Sequence, residues 1–333
     1  MKTYKVAILG ACGIVGSTMI QVLRERKLSI SELCLYDAGQ SVGKEVDFNG
    51  QTVKVRESSP QMFDEGIEIA LFAVDGPISK KYAPIAAAKG VLVIDNSSAW
   101  RMDPEVPLVV PEVNASDIFK HKGIIANPNC STIQAMVALY PLHKKYGIQR
   151  VIYTTFQSVS GAGVGGIADL ERTLKGELPQ QFPLPIAGNA IPQIDSFGDE
   201  GYTGEEYKLI NETKKILHAP DMKITATTVR IPVKIGHSES VNLTFNNPFE
   251  LAELRQVLET APGIVIQDDT EKNIYPTPRE IAGTDPVYVG RIRRDFSAEN
   301  SLNLWIVADN VRKGAATNAV QIAEAYMGAG TNK

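Results

Sequence analysis

The first 130 residues alternate two hydrophobic patterns. Short unbroken apolar runs occur at Val6 to Leu9, Leu33 to Tyr36, Ile67 to Val74, Val91 to Ile94 and Gly123 to Ala126. Between them, Ile14 to Arg26 and Ser79 to Lys89 carry apolar residues at helical spacing. Unbroken runs suit strands buried on both faces, and strands alternating with helices predict a parallel, doubly wound sheet. A further helix is predicted from about Thr132.

From Arg150 the pattern changes. Val151 to Gln157 is rich in β-formers, and Lys223 to Val233 and Ser240 to Phe245 alternate apolar with polar residues. Val287 to Arg294 and Leu304 to Ala308 add strands. Alternation marks strands with one covered face, so antiparallel strands with helices on one side are expected. Pro179 to Pro192 reads as a long irregular loop whose apolar content suits packing against a partner subunit. Gly314 to Met327 is again helical. The predicted fold class is α/β: an N-terminal doubly wound, Rossmann-type sheet with a second α+β catalytic and dimerisation domain. The expected boundaries are 1–130, completed by a C-terminal helix at 313–333, and 131–312.

The bulk numbers narrow the function. The chain has 333 residues, 44% apolar and 22% charged, with a net charge of −4 and no basic stripe. A nucleic-acid or membrane partner is not expected. Met1-Lys2-Thr3-Tyr4-Lys5 leads straight into a strand, so no signal peptide is expected. Cys12, Cys34 and Cys130 form no CxxC pair, which suits a reducing cytoplasm. The four histidines have no metal-ligand spacing, and no metal is expected.

Gly10-Ala11-Cys12-Gly13-Ile14-Val15-Gly16 lies between the first strand and the first helix. Glycines there allow a tight turn, and the helix N-terminus offers N–H groups to a pyrophosphate. Gly10, Gly13, Ile14, Val15 and Gly16 are therefore candidate cofactor contacts. Asp37 ends the second strand 21 positions after Gly16, the spacing of a carboxylate that binds a ribose 2′-OH in NAD enzymes. Gly161 to Gly166 also spells GxGxxG. No βαβ unit is expected around it, and its glycines are read as letting backbone approach the active site or the nicotinamide.

Asn127-Pro128-Asn129-Cys130-Ser131-Thr132 sets a cysteine where a strand gives way to a helix. A helix N-terminus favours the thiolate, the form that attacks a carbonyl carbon. Taken alone, such a cysteine is as well read as a buried helix cap. Downstream, Arg230-Ile231-Pro232-Val233-Lys234-Ile235-Gly236-His237-Ser238-Glu239 places an arginine suited to a substrate carboxylate and a histidine suited to proton transfer.

With these three motifs together, the chain resembles aspartate-β-semialdehyde dehydrogenase from about Lys5 to Tyr326. The resemblance implies NAD(P)-dependent reductive dephosphorylation of L-4-aspartyl phosphate to L-aspartate 4-semialdehyde through a cysteine thioester. That places it in the biosynthesis of diaminopimelate and lysine, threonine and methionine. It makes Cys130 the nucleophile, His237 the acid–base, and Gln157 the residue that orients substrate. Arg230 would bind the α-carboxylate, Glu205 the amino group, and Asn129 the oxyanion. Arg101 and Lys208 would bind inorganic phosphate. Asn310, Ser160 and Gly161 would lie on the nicotinamide side. A homodimer or homotetramer is implied.

The cofactor stays open. The family often carries Ala-Ser-x-Arg-Ser-x-Gly-Lys after the second strand, where serine and arginine hold the 2′-phosphate of NADP. Here the segment runs Asp37-Ala38-Gly39-Gln40-Ser41-Val42-Gly43-Lys44. Resemblance implies NADP, through Ser41 or Lys44, and Asp37 with Gln40 implies NAD. Two other readings compete: an N-acetylglutamyl-phosphate reductase, whose group frames its cysteine as Pro-Gly-Cys-Tyr, and a non-catalytic nucleotide-binding paralogue.

Overall fold

The computed structural model describes residues 2–329. It forms two compact units, residues 1–129 with 315–333, and residues 130–314. The first unit opens with β1 (Tyr4–Leu9), α1 (Ile14–Arg26) and β2 (Ile30–Asp37). A hairpin of β3 (Glu45–Phe48) and β4 (Gln51–Glu57) follows. Then come β5 (Ile69–Phe72), α2 (Gly76–Ala88), β6 (Leu92–Asp95), the short α3 (Pro111–Asn114) and β7 (Ile124–Ala126).

Among the described residues these strands form one sheet in the order β3-β4-β2-β1-β5-β6-β7. All neighbours are parallel except the β3–β4 hairpin. The unbroken apolar runs form the adjacent strands β2, β1, β5, β6 and β7, of which β5 and β6 are buried throughout. The hairpin was not read from the sequence, although Asn49-Gly50 signals it. Both residues have positive φ, 54° and 82°, as a two-residue type I′ turn requires.

The second unit holds α4 (Cys130–Tyr146), β8 (Ile148–Gln157), α5 (Gly163–Leu174), α6 (Gly204–Ile216), β9 (Lys223–Arg230) and β10 (His237–Phe245). After these come α7 (Leu251–Glu259), β11 (Ile264–Ile266), the short α8 (Pro278–Ile281), β12 (Val287–Arg294) and β13 (Ser301–Ala308). The strand order is β11-β12-β13-β10-β8-β9. The sheet is mixed, which corrects the antiparallel expectation. The β8–β9 and β11–β12 pairs are parallel, and the pairs between them antiparallel. A parallel pair needs a crossover, and residues 158–222 supply one containing α5 and α6. Gly161 to Gly166 therefore lies in a strand-to-helix turn of a parallel crossover, contrary to the reading that no βαβ unit surrounds it.

The chain returns to the first unit as α9 (Thr317–Ala329), whose Ala319, Val320 and Ala323 join that unit's buried core. Of the helix expected at 313–333, residues 330–333 lie outside the described residues, and the described helix begins at Thr317. No described helix is long and apolar enough to cross a membrane.

Candidate active site

In the first unit, β1 ends at Gly10, whose φ of +81° suits glycine. A Cβ at Gly10 would strike the Ala73 carbonyl, and one at Gly16 would strike the Gly10 carbonyl. These two glycines are set by the protein's own packing. Gly13 is not: a Cβ there would meet only Gly10 O, at 3.5 Å. Gly13 caps α1 without any side-chain hydrogen bond. Ile14, Val15 and Gly16 form the first turn, whose N–H groups have no partner within the helix. Space left by a missing side chain, beside open N–H groups, fits a dinucleotide pyrophosphate.

Asp37 is placed differently from the simple spacing argument. Its Oδ2 accepts from Cys12 N and its Oδ1 from Ala38 N, both at 2.8 Å. The carboxylate thus also ties the glycine loop to the end of β2. Gln40 and Ser41 sit on a single 3₁₀ turn, Gly39–Ser41, with Gln40 exposed. Lys44 lines a cavity of about 590 Å³ shared with Cys12 and Arg24.

Arg101 is 8% exposed, and its guanidinium donates to the carbonyls of Asn127 (3.0 Å) and Asn96 (2.9 Å). Asn127 donates to Asn96 Oδ1 and accepts from Asn318. These contacts fix the Asn127-Pro128-Asn129 segment immediately before Cys130, and Asn129 is buried.

In the second unit, Cys130 is the first residue of α4. A Cβ on Gly314 would lie 3.0 Å from Cys130 Cβ, so only glycine leaves the cysteine its room. Cys34 makes a contrast. It is buried, it donates to Glu32 at 3.4 Å, and burial with the Glu32 charge pushes its thiol up to about 11.

His237 opens β10 and is fully buried. Ser158 N lies 3.1 Å from Nδ1, and a backbone N–H only donates, so Nδ1 accepts and the ring proton rests on Nε2. Nε2 has no hydrogen-bond partner among the described residues. Burial, reinforced by the positive charge of Arg230, pulls the imidazole down to about 3. The ring is therefore neutral at pH 7. Asn310 Oδ1 accepts from Gly236 N, Ser158 Oγ and Ser160 Oγ, bracing the turn that carries His237.

Arg230 ends β9, where its main chain pairs in both directions with Ile191. Its Nη1 donates to Ser158 O at 2.7 Å, and its guanidinium lies over the Phe182 ring. Burial lowers its pKa, against the pull of Glu205 and Cys130. Gly161 joins Arg230 to His237: a Cβ there would lie 2.8 Å from Arg230 Nη1 and 3.3 Å from His237 Nε2.

Gln157 donates to Thr155 Oγ1 and to Glu205 Oε1, both at 3.2 Å. Thr203 and Glu206 form a capping box that starts α6, and Glu206 also accepts from Thr228 N on β9. That fixes Glu205 and Lys208 one turn apart. Lys208 Nζ reaches Glu205 (3.1 Å) and Asp195 (2.9 Å). Burial works against its charge, and these two carboxylates more than offset that, holding its pKa above the usual value. Cys130, Gln157, Ser160, Gly161, Glu205, Lys208, Arg230, His237 and Asn310 all belong to this unit. The glycine loop, Asp37, Gln40, Ser41, Arg101 and Asn129 belong to the first.

Ser158 and Gly314 were not singled out from the sequence. Their roles come from strand pairing and from a chain return more than 180 residues after Cys130. The only local signal was a glycine at the head of an apolar helical stretch.

A dinucleotide-binding unit together in one chain with a unit carrying a helix-start cysteine and a buried histidine defines a nicotinamide-dependent dehydrogenase. Residues 5–121 match the family model for the semialdehyde dehydrogenase NAD-binding domain, and residues 139–313 that for its dimerisation domain. An aspartate-semialdehyde dehydrogenase of Aquifex aeolicus is 52% identical, over 96% of this chain and 97% of that one. One from Bacillus subtilis is 47% identical, over 96% of each chain. The crystal structure of aspartate semialdehyde dehydrogenase II of Vibrio cholerae complexed with ASA superimposes with a TM-score of 0.93 at 46% identity, covering 98% of this chain and 99% of that one. The chain belongs to the aspartate-semialdehyde dehydrogenase family. It is an oxidoreductase with a nicotinamide-binding domain, and the two competing readings are not favoured.

Proposed function

We propose that this chain interconverts L-4-aspartyl phosphate and L-aspartate 4-semialdehyde through a thioester on Cys130. The observation that carries the assignment is the gathering of Arg230 and His237 about Gly161, where a Cβ would crowd both, in the unit that begins at Cys130. In the reductive direction the Cys130 thiolate attacks the acyl carbon and forms the C–S bond. The C–O bond to phosphate then breaks and phosphate leaves. When bound, a nicotinamide group supplies hydride in this direction and accepts it in the other. His237 donates a hydrogen bond from Nε2 to the oxyanion that forms as hydride adds, and the carbonyl re-forms as the C–S bond opens and the Cys130 thiolate leaves. Asn129 supports the oxyanion. Arg230 grips the substrate α-carboxylate with its planar fork, Glu205 meets the amino group, and Gln157, held by Glu205 and Thr155, orients the reacting carbonyl.

Arg101 and Lys208 are assigned to phosphate. The assignment asks Lys208 to exchange part of its present hold on Asp195 and Glu205 for the anion. For the cofactor, a carboxylate at the end of β2 repels a 2′-phosphate and exposed Gln40 adds no positive charge, so NAD use at least level with NADP is proposed. Lys44 or Ser41 holding the phosphate is the opposite outcome. We place the enzyme in the cytoplasm as a homodimer or homotetramer, which the dimerisation-domain match supports only as far as an oligomer. The test is an assay with semialdehyde, phosphate and each cofactor in turn. Phosphate-dependent reduction of the cofactor, with an acyl phosphate trapped as hydroxamate, is expected. Turnover on N-acetylglutamate semialdehyde instead would overturn the substrate.

A further inference from the structure

Two fully buried polar side chains follow the reacting pair along its helix and its strand and have no place in the mechanism above. Gln134 follows Cys130 by four residues on α4, one turn along the same face. Glu239 follows His237 by two residues on β10, on the same side of the strand. The pair Gln134 and Glu239 thus lies further along the same helix face and the same strand face as Cys130 and His237. Both are 0% exposed. Gln134 Nε2 donates to the His237 carbonyl at 3.4 Å, so helix and strand already touch there. Gln134 is also the hydrogen-bonding side chain facing the Glu239 carboxyl. Neither oxygen of Glu239, nor Gln134 Oε1, has a fully formed hydrogen bond among the described residues.

No described cation pairs with Glu239. The charged groups near it are Glu205, which repels it, and the Arg230 side chain, which bears on His237 instead. Burial first, with the Glu205 charge, raises its pKa well above the ordinary range, against a hydrogen bond from Gln134 that lowers it. The Gln134 amide has two N–H groups. One is given to the His237 carbonyl, and the amide also faces the Glu239 carboxyl as a donor.

We propose that Glu239 is a positioning residue, which through Gln134 ties the His237 strand to the first turns of the Cys130 helix and holds thiol and imidazole in register. This rests on Cys130 and His237 as the reacting pair. A slip of about 1 Å between reacting groups costs on the order of a hundredfold in rate, so a second tie between their helix and strand matters.

The test uses the full-length enzyme and Glu239→Leu, Glu239→Gln, Gln134→Leu and the double leucine variant. Each is assayed for kcat, for cofactor KM, and for iodoacetamide alkylation of Cys130 between pH 6 and 9. Glu239→Leu is expected to lower kcat about tenfold or more, leave cofactor KM within about twofold, and move the alkylation profile to higher pH. Glu239→Gln keeps a side-chain oxygen to accept from Gln134 and should stay within about threefold of the parent. Gln134→Leu should match Glu239→Leu, and the double variant should lose no more than either, as members of one unit do. Parental kcat and alkylation in Glu239→Leu would overturn the proposal, and so would equal loss in Glu239→Gln and Glu239→Leu. Should Glu239→Leu fail to fold, a parental kcat in Gln134→Leu would overturn it instead. Cys130→Ser is the separate control, because turnover there would defeat the reacting pair itself whatever Glu239 does.

Discussion

At the scale of single residues, the chemistry is set by what each side chain is denied. His237 is denied water and is neutral. Its ordinary pKa of 6.5 is pulled down to about 3, chiefly by burial. As pH falls through 6.5 the unfolded chain takes up a proton there that the folded chain refuses until about pH 3. Stability therefore declines across that window, by at most about 1.4 kcal/mol per pH unit from this group. His237→Asn should flatten that decline, and paired thermal melts at pH 7 and pH 5 check it. Parallel pH trends in the two proteins would mean that the ring is not buried neutral. Arg230→Lys keeps the charge and loses the fork. It should lower kcat/KM for the semialdehyde about a hundredfold while cofactor affinity stays within about twofold, read by steady-state kinetics and cofactor titration. Cys130, His237 and Arg230 were legible in the sequence because each stands in a dense local motif. Ser158, which sets the His237 tautomer, was not, because its partner is brought to it by the β8–β10 pairing.

At the scale of elements, glycines at helix starts divide into two kinds. Gly10 and Gly16 are required by the turn itself, so alanine at either should lower Tm. Gly13 has room for a methyl group on the protein side. Gly13→Ala should leave Tm within about 2 °C, the size of a sub-kcal/mol change in a chain this long, and raise cofactor KM about tenfold or more. Loss of Tm with unchanged KM would place the dinucleotide elsewhere. Gly161→Ala should do the converse in the second unit, lowering kcat as its methyl group presses on Arg230 and His237. The glycine loop and α1 were readable because strand, turn and helix are contiguous. Helices α5 and α6 and the parallel β8–β9 pair were not. Their signal is spread over a crossover of some 65 residues, and periodicity in one segment does not say which strand lies beside it.

At the scale of the whole molecule, the first unit matches an NAD-binding domain and the second a dimerisation domain, and the proposed nucleophile begins the second. The parent enzyme should use NAD at least as well as NADP, and Asp37→Ser with Gln40→Arg should shift kcat/KM towards NADP. A strong NADP preference in the parent would assign the 2′-phosphate to Ser41 or Lys44. Neutralising Lys208 or Arg101 should raise the KM for phosphate more than that for semialdehyde. The central claim, a thioester on Cys130, is tested most directly by mass spectrometry. The enzyme is mixed with semialdehyde and oxidised cofactor without phosphate, then digested and mapped. An aspartyl adduct on the Cys130 peptide, discharged by phosphate and missing in Cys130→Ser along with turnover, is the predicted result. An adduct on another residue, or a Cys130→Ser enzyme that turns over near the parental rate, would contradict it.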